Sequence, residues 1–371
     1  MTLPELRAVA EFLEDCARRG RPAATATLVR LEGSGYRRPG ARMAVAADGV
    51  RGFVSGGCVE ADLAERAPAV IRAGAAQLVS YDLRGRAEDV WGLAAGCNGR
   101  LDVLLEPAPE RDSPAHPAQL LRRLEARRPA VLATVFRSCV PGIPAGARFW
   151  VGAGGEIEGP RPAESWVGEA LGLESRAALA TGRARSARLS DADSEIDVLV
   201  EPLVPAVRVL IVGAGPDAVP LTELAVALGW EVVVVDARPA LADPARFPTA
   251  GAVVACEPER LADRLTLDPR SAAIVMTHRF DDDVRWLRAL MPSAAGYVGL
   301  LGPAVRRDAV LAALGCDRAR LRAPAGLDLG GTTPEEIALA MLAEICATLA
   351  GRGGGPLRDR AAPLHDRDGA P

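Results

Sequence analysis

Val207-Arg208-Val209-Leu210-Ile211-Val212-Gly213-Ala214-Gly215-Pro216-Asp217-Ala218 is the stretch on which the fold turns. Its first six residues are apolar almost without alternation. That pattern belongs to a strand covered on both faces, as in a parallel sheet with helices above and below. The strand runs directly into Gly-x-Gly-x-x-Ala and then into a helical pattern ending near Leu228. In such a turn the two glycines let the backbone approach a pyrophosphate, and a small sixth residue lets the helix pack close to the strand. The next apolar run, Glu231 to Val235, ends in Asp236, roughly 20 residues after Gly215, where a carboxylate can bond a ribose diol.

Three more apolar runs follow, Ala252 to Ala255, Ala272 to Met276 and Tyr297 to Leu301, separated by Ala/Leu/Arg helical patterns. Together they predict a Rossmann-like, doubly wound parallel sheet over residues 206–350. Gly213, Gly215, Asp236 and Arg238 are its candidate nucleotide-binding residues, with Arg238 placed to offset charge or accept an extra phosphate. Pro216 and Pro220 remove two backbone donors, and Asp217 is expected to cap the helix where phosphate would sit. Two readings stay open: a site for NAD(P) or another nucleotide, including a pterin nucleotide, or a fold kept for structure alone. His278 follows the fourth strand at the end where such sheets bind ligands, which favours a site role. The other two histidines, His116 and His365, fall in a linker and the tail. Asp281, Asp282 and Asp283 are expected to cap the next helix. Arg306 and Arg307 either hold a phosphate or form a solvated face. Thr333-Pro334-Glu335-Glu336 reads as a capping box.

The whole chain has 371 residues, 49% hydrophobic and 25% charged, an ordinary globular balance with length for two or three domains. Aromatics are 4%, so the cores are built from Ala, Val and Leu. All 44 basic residues are arginine, which excludes lysine chemistry such as a Schiff base or a P-loop lysine. Codon bias accounts for most of that absence. A net charge of −4 argues against nucleic acid or an anionic membrane as partner. Seven cysteines with no Cys-x-x-Cys pair argue against a disulfide framework and a structural zinc site. The first twenty residues lack the basic-then-apolar pattern of a signal, and no apolar run reaches the ~20 residues of a membrane span. A cytoplasmic protein with reduced thiols is expected.

Before residue 206, two segments echo one another. Ala26 to Val29 resembles Ala133 to Val135, Gly40-Ala41-Arg42 recurs as Gly146-Ala147-Arg148, and Leu101 to Pro107 recurs as Ile196 to Pro202. Each reads as helix, strand, turn, strand, helix, strand and a closing buried strand. This predicts an internally duplicated N-terminal α/β region, with one unit over 1–107 and a second, degenerate copy over 118–202. Pro-rich linkers lie at Glu106 to Pro117 and Glu201 to Pro205, and residues 351–371 read as a disordered tail. The first copy carries Ser55-Gly56-Gly57-Cys58-Val59-Glu60 and Gly96-Cys97-Asn98-Gly99; the second has neither.

Gly56-Gly57-Cys58 ends a predicted strand and precedes a helix starting near Val59. A cysteine at a helix N-terminus has its thiolate stabilised, and two glycines admit a bulky ligand. Cys97 sits in a second glycine-flanked turn. Cys16, Cys139, Cys256, Cys316 and Cys346 read as small core residues.

Gly33 to Met43, the Val54 to Glu60 run (VSGGCVE), Gly96 to Gly99 and Leu104 to Pro107 resemble the xanthine dehydrogenase accessory factor family, XdhC/CoxI. The second half is similar too, through Gly213 to Pro216, Asp236 to Pro239, Thr277-His278, Tyr297 to Gly302 and Gly326 to Leu339. The resemblance implies a molybdenum-cofactor chaperone, an accessory factor rather than an enzyme. Such a factor binds molybdopterin, supports its sulfuration with a cysteine desulfurase, and inserts it into an apo molybdenum hydroxylase such as xanthine dehydrogenase. It makes Gly56, Gly57, Cys58, Glu60 and Cys97 candidate cofactor-binding residues, with Cys58 contacting the molybdenum. Arg42, with Arg37 and Arg38, is placed to meet the cofactor phosphate, a solvated turn being the equal alternative for Arg37 and Arg38. A homodimer is the common default. Two other readings compete. One is an NAD(P)-dependent oxidoreductase with His278 as proton donor, lacking any Tyr-x-x-x-Lys relay. The other is a thiol redox or nucleotide-sensing module that switches through Cys58 and Cys97.

Overall fold

The first amphipathic segment forms helix α1 (Leu3–Arg18) in the computed structural model, which describes residues 3–84, 99–113, 116–160, 165–315 and 320–359. The chain divides into two compact units, residues 1–205 and 206–371.

In the first unit, α1 precedes strands β1 (Ala23–Gly33), β2 (Arg42–Ala46) and β3 (Gly49–Gly52), helix α2 (Glu60–Ala73), and strands β4 (Gln77–Asp82) and β5 (Gly99–Pro107). They make an antiparallel five-stranded sheet in the order β3-β2-β1-β5-β4. The second half repeats this element for element. Helix α3 (Pro117–Glu125) leads into β6 (Ala130–Ser138), β7 (Arg148–Gly152), β8 (Ile157–Glu158), α4 (Ser165–Thr181), β9 (Arg185–Ser190) and β10 (Glu195–Leu203). The strand order is β8-β7-β6-β10-β9. Each sheet has one more strand than the sequence pattern suggested, because β3 and β8 are short hairpin returns with exposed residues and little apolar signal.

The likeness extends to a defect. The β1–β5 ladder shifts register between Leu28 and Arg30, setting Val29 out of the pairing. The β6–β10 ladder shifts between Asp197 and Val198, opposite Phe136. A bulge re-aims the residue that it displaces. Val29 and Phe136 are both fully buried, in one cluster with Leu104 and Leu199, so each half contributes matching positions to a shared core. Leu6 and Ala10 of α1 likewise pack with Leu120, Leu121 and Trp150 of the second half. The segments 1–107 and 118–202 therefore pack as one unit.

Reciprocal ion pairs close this seam. Arg42 donates to Glu201 through both outer nitrogens, at 2.8 and 2.6 Å, and to the Gly40 carbonyl at 3.0 Å. Arg148 donates one outer nitrogen to Glu106 at 2.5 Å and the other to the Gly146 carbonyl. Each Gly-Ala-Arg turn is thus bound to the Glu-Pro end of the other half's closing strand.

The second unit is wholly parallel in its sheet. It contains β11 (Arg208–Val212), α5 (Ala218–Ala227), β12 (Glu231–Asp236), β13 (Ala252–Ala255), α6 (Leu261–Arg264), β14 (Ser271–Val275), α7 (Phe280–Leu290), β15 (Tyr297–Leu300), α8 (Ala304–Leu314), β16 (Leu321–Arg322) and α9 (Pro334–Leu349). The order is β13-β12-β11-β14-β15-β16. Side chains alternate along a strand, so Val209 and Ile211 pack on one face with α5 and α9, while Leu210 and Val212 pack on the other with α7. Both faces are covered, which is why the strands read as continuous apolar runs. Strand β16 has two residues, too few for a periodic signal. The chain reverses its winding between β11 and β14, and the crevice at their C-terminal ends is where such a sheet takes ligands. The capping box at the start of α9 is present, with the Thr333 and Glu336 side chains and backbones bonded reciprocally.

Of the tail expected at 351–371, residues 351–359 are exposed and end in a single helical turn at Leu357–Asp359; the remainder lies outside the described residues. Among the described residues no helix is long and apolar enough to cross a membrane.

Candidate functional site

Chain leaving β3 must turn sharply to enter α2, and residues 53–59 do so around one serine and one carboxylate. The Ser55 hydroxyl accepts the backbone N–H of Gly57 at 3.1 Å and of Cys58 at 3.0 Å. The Glu60 carboxylate accepts the N–H of Val54 at 3.0 Å, of Ser55 at 2.7 Å and of Val59 at 3.2 Å, and the Ser55 hydroxyl at 2.6 Å. Gly57 has φ +106°, a backbone that other residues adopt only with strain, and its Cα faces open space. Cys58 is partly buried, against the cluster that holds Val54, Val59 and Leu63.

Two aromatic rings border this turn. The Tyr36 side chain packs on Gly56, with its Cβ and Cγ 3.6 Å from where a glycine side chain would begin. It is 71% exposed, and Phe53, whose ring centroid is 6.5 Å away, is 38% exposed. The Arg37 guanidinium lies 4.5 Å over the Phe53 ring and is fixed by two bonds to Glu5, at 2.9 and 3.0 Å.

Several sequence expectations change here. The Glu60 carboxylate, expected at the ligand, accepts four bonds from the turn's own donors and so positions the turn. Its charge also sits on the N–H of Val59, the N-cap of α2, so the helix N-terminus expected to favour a Cys58 thiolate is shared with Glu60. Arg42 is 7% exposed and bidentate to Glu201, so its guanidinium is engaged inside the protein as a structural strut. Arg37 is committed to Glu5, which leaves Arg38 as the exposed cation of that trio. Cys97, with Gly96 and Asn98, lies outside the described residues. Cys16 and Cys256 are buried as expected, whereas Cys139 and Cys346 are exposed; Cys316 lies outside the described residues.

Burial raises the Glu60 carboxyl, but the bonds from Ser55 and the turn's N–H groups outweigh it and hold it below its ordinary 4.5. A carboxylate so depressed adds stability above pH ~4.5 that is lost as pH falls through its folded value. Glu60→Gln is therefore expected to cost about 1–2 kcal/mol at neutral pH, with the gap to wild type closing in acid. Thermal melts of both proteins between pH 7 and acid check this; a gap independent of pH would refute it.

In the second unit, Gly213 has φ +109° and its Cα faces the Met276 carbonyl so closely that a side chain would stand 2.6 Å from that oxygen. Only glycine fits, which accounts for the first glycine of the motif. Asp236 was expected to face a ribose. Instead it is 3% exposed and accepts the Ala214 N–H at 2.9 Å, the Arg238 N–H at 2.9 Å and the Arg238 guanidinium at 2.8 and 2.9 Å. Burial raises its carboxyl, and these bonds, led by Arg238, bring it net below its usual value. Arg238 is correspondingly held by Asp236.

Asp217 occupies the N-cap position of α5 without making a side-chain cap bond. Its Oδ2 lies 2.8 Å from His278 Nε2 instead. His278 has φ +60°, an unusual conformation for a residue with a side chain. Asp283 does not cap α7; it is buried, accepts the Thr277 hydroxyl at 2.5 Å and pairs with Arg306 at 2.7 Å. Arg306 is thereby engaged with Asp283 within the protein. His116 is also no idle linker residue: its Nδ1 accepts the Ala118 N–H and caps α3. Among the described residues no group of three or more His, Cys, Asp or Glu is placed to hold a metal ion.

Sequence reasoning missed Tyr36, Phe53 and the Asp217–His278 pair. The Arg42–Glu201 and Arg148–Glu106 exchange was foreshadowed by the repeated Gly-Ala-Arg and Glu-Pro runs.

Comparison with known proteins places these features. Residues 16–82 match the model of the XdhC and CoxI family, and residues 209–345 match that of the XdhC Rossmann domain. A Bacillus subtilis protein named as a probable xanthine dehydrogenase subunit is 31% identical over 327 residues, covering 88% of this chain and 93% of the relative. The molybdenum cofactor insertion chaperone PaoD of Escherichia coli is 33% identical over 128 residues, 34% of this chain and 38% of PaoD. A crystal structure described as a xanthine dehydrogenase from Bacillus halodurans superposes with a TM-score of 0.70 at 27% identity, covering 93% of this chain and 96% of that one. With both halves matched and the likeness running nearly end to end, the chain belongs to the XdhC/CoxI family.

Proposed function

We propose that this protein is a maturation factor for a xanthine dehydrogenase-like molybdenum enzyme, and that it holds molybdopterin cofactor at the Cys58 turn as cargo. It supports sulfuration of that cofactor, with a cysteine desulfurase as sulfur source, and passes the product to the apo enzyme without turnover of its own. The observation that carries this reading is the turn itself: a cysteine whose backbone N–H is held by Ser55, which Glu60 holds in turn, beside the open face of Gly57, with exposed aromatic rings at its border. A thiolate is a soft ligand suited to a sulfur-bound metal. Flat, exposed rings suit a flat heterocycle, and Arg38 supplies charge for the cofactor's phosphate. The PaoD name supports the same class of activity.

The reading is tested by producing the protein in cells with active molybdenum-cofactor synthesis, then measuring bound molybdenum and pterin fluorescence. Stoichiometric pterin is expected, and its absence would refute the reading. Tyr36→Ala is expected to weaken pterin retention about tenfold, the scale of one lost base–aromatic stack. Equal retention by the variant would remove Tyr36 from the site.

A further inference from the structure

We infer that Asp217 stands in the place of a dinucleotide's pyrophosphate, and that the crevice of the second unit is closed to NAD(P) by this internal anion. The closure is independent of the molybdenum-cofactor reading.

A dinucleotide asks three things of this fold: bare backbone at the second glycine for the pyrophosphate, N–H donors at the start of the following helix, and a carboxylate for the ribose. Each is already taken. At the second glycine, Asp217 Oδ1 lies 2.5 Å from the point where a Gly215 side chain would begin. The space that glycine leaves for phosphate is filled by this chain's own carboxylate. At the helix start, Ala218 N–H bonds the Gly215 carbonyl at 3.2 Å and Val219 N–H the Pro216 carbonyl at 3.3 Å. Pro216 and Pro220 have no N–H to give. At the ribose position, Asp236 is enclosed by Ala214 and Arg238.

Asp217 is also anchored where it lies. Its Oδ2 meets His278 Nε2 at 2.8 Å, and the His278 ring reaches within 3.9 Å of the same Gly215 point. His278 takes this position from a left-handed backbone, φ +60°, which costs energy that the surrounding contacts must offset. Asp217 Oδ1 is buried with no hydrogen-bond partner. An unpartnered carboxylate oxygen at that point repels a diphosphate at close range, where solvent screening is weakest. The Gly-x-Gly-x-x-Ala turn thus retains the geometry that packs helix on strand, while the residue between its glycines and its alanine excludes the ligand.

The test is a titration of the full chain with NADH and with NADPH, followed by ligand fluorescence and calorimetry. Wild type is expected to show no saturable binding up to the order of 1 mM. Asp217→Asn removes the charge with the shape kept, and Asp217→Ser clears the space as well. At least one, with an unchanged circular dichroism spectrum and melting temperature, is expected to bind NADH at least tenfold more tightly than wild type. Micromolar binding by wild type, or no gain in either folded variant, would overturn the inference.

Discussion

Cys58→Ala is expected to lower the molybdenum that copurifies with this protein by at least tenfold, with its melting temperature within a few degrees of wild type. The side chain is only partly buried, and the hydrogen bonds that shape the turn use the Cys58 backbone, which alanine retains. What alanine removes is the thiol. A metal–thiolate contact is the strongest single interaction that this turn can offer a molybdenum centre, and none of the described neighbours forms a cluster to replace it. Pterin fluorescence should fall less than molybdenum, because in the proposed site Tyr36 and Arg38 would hold a different part of the cofactor. Bound molybdenum and activation of the client enzyme, measured side by side, check this. Equal molybdenum in both proteins would take Cys58 out of the site and leave the maturation role standing on other residues.

Glu201→Ala is expected to cost the first unit about 3–5 kcal/mol, the usual penalty for leaving half of a buried ion pair behind. Arg42 keeps only its bond to the Gly40 carbonyl when Glu201 is gone, and its guanidinium stays buried. Glu106→Ala strands Arg148 in the same way on the other side of the seam. Because the two pairs bind the same two halves together, the double variant should fall short of the summed single effects: once one strut is lost the seam loosens and the second matters less. Urea denaturation of the single and double variants measures this. Losses under 1 kcal/mol, or strict additivity, would show that the halves are held by their apolar core alone.

Val207 to Ala218 and the strands that follow were legible in the sequence because a strand covered on both faces writes its environment into every residue, with no need of distant information. The same holds for the turn at Gly56-Gly57-Cys58, placed by glycines and by the helix after it, though the strand before it ends at Gly52 and the helix begins at Glu60. Strand β3 was expected at Gly52 to Ser55 and lies at Gly49–Gly52, while β8 and the two-residue β16 escaped, because short exposed strands have no periodicity to detect.

Charged residues behaved differently. Arg42, Glu60 and Asp236 stand in motifs that suggest ligand contacts and Asp217 in one that suggests a helix cap, and each is engaged within the protein or placed against its own backbone. Arg42 meets Glu201 across 159 residues of sequence, and His278 meets Asp217 across 61. An ion pair forms wherever the fold brings opposite charges within a few ångströms, and no local pattern encodes that approach. So the sequence by itself determined the doubly wound sheet, the repeated N-terminal pattern and the position of the cysteine turn, since these follow from backbone preference and local burial. Only the tertiary structure decided which side chains remain available to a ligand, because availability is what is left after long-range pairing has consumed the rest.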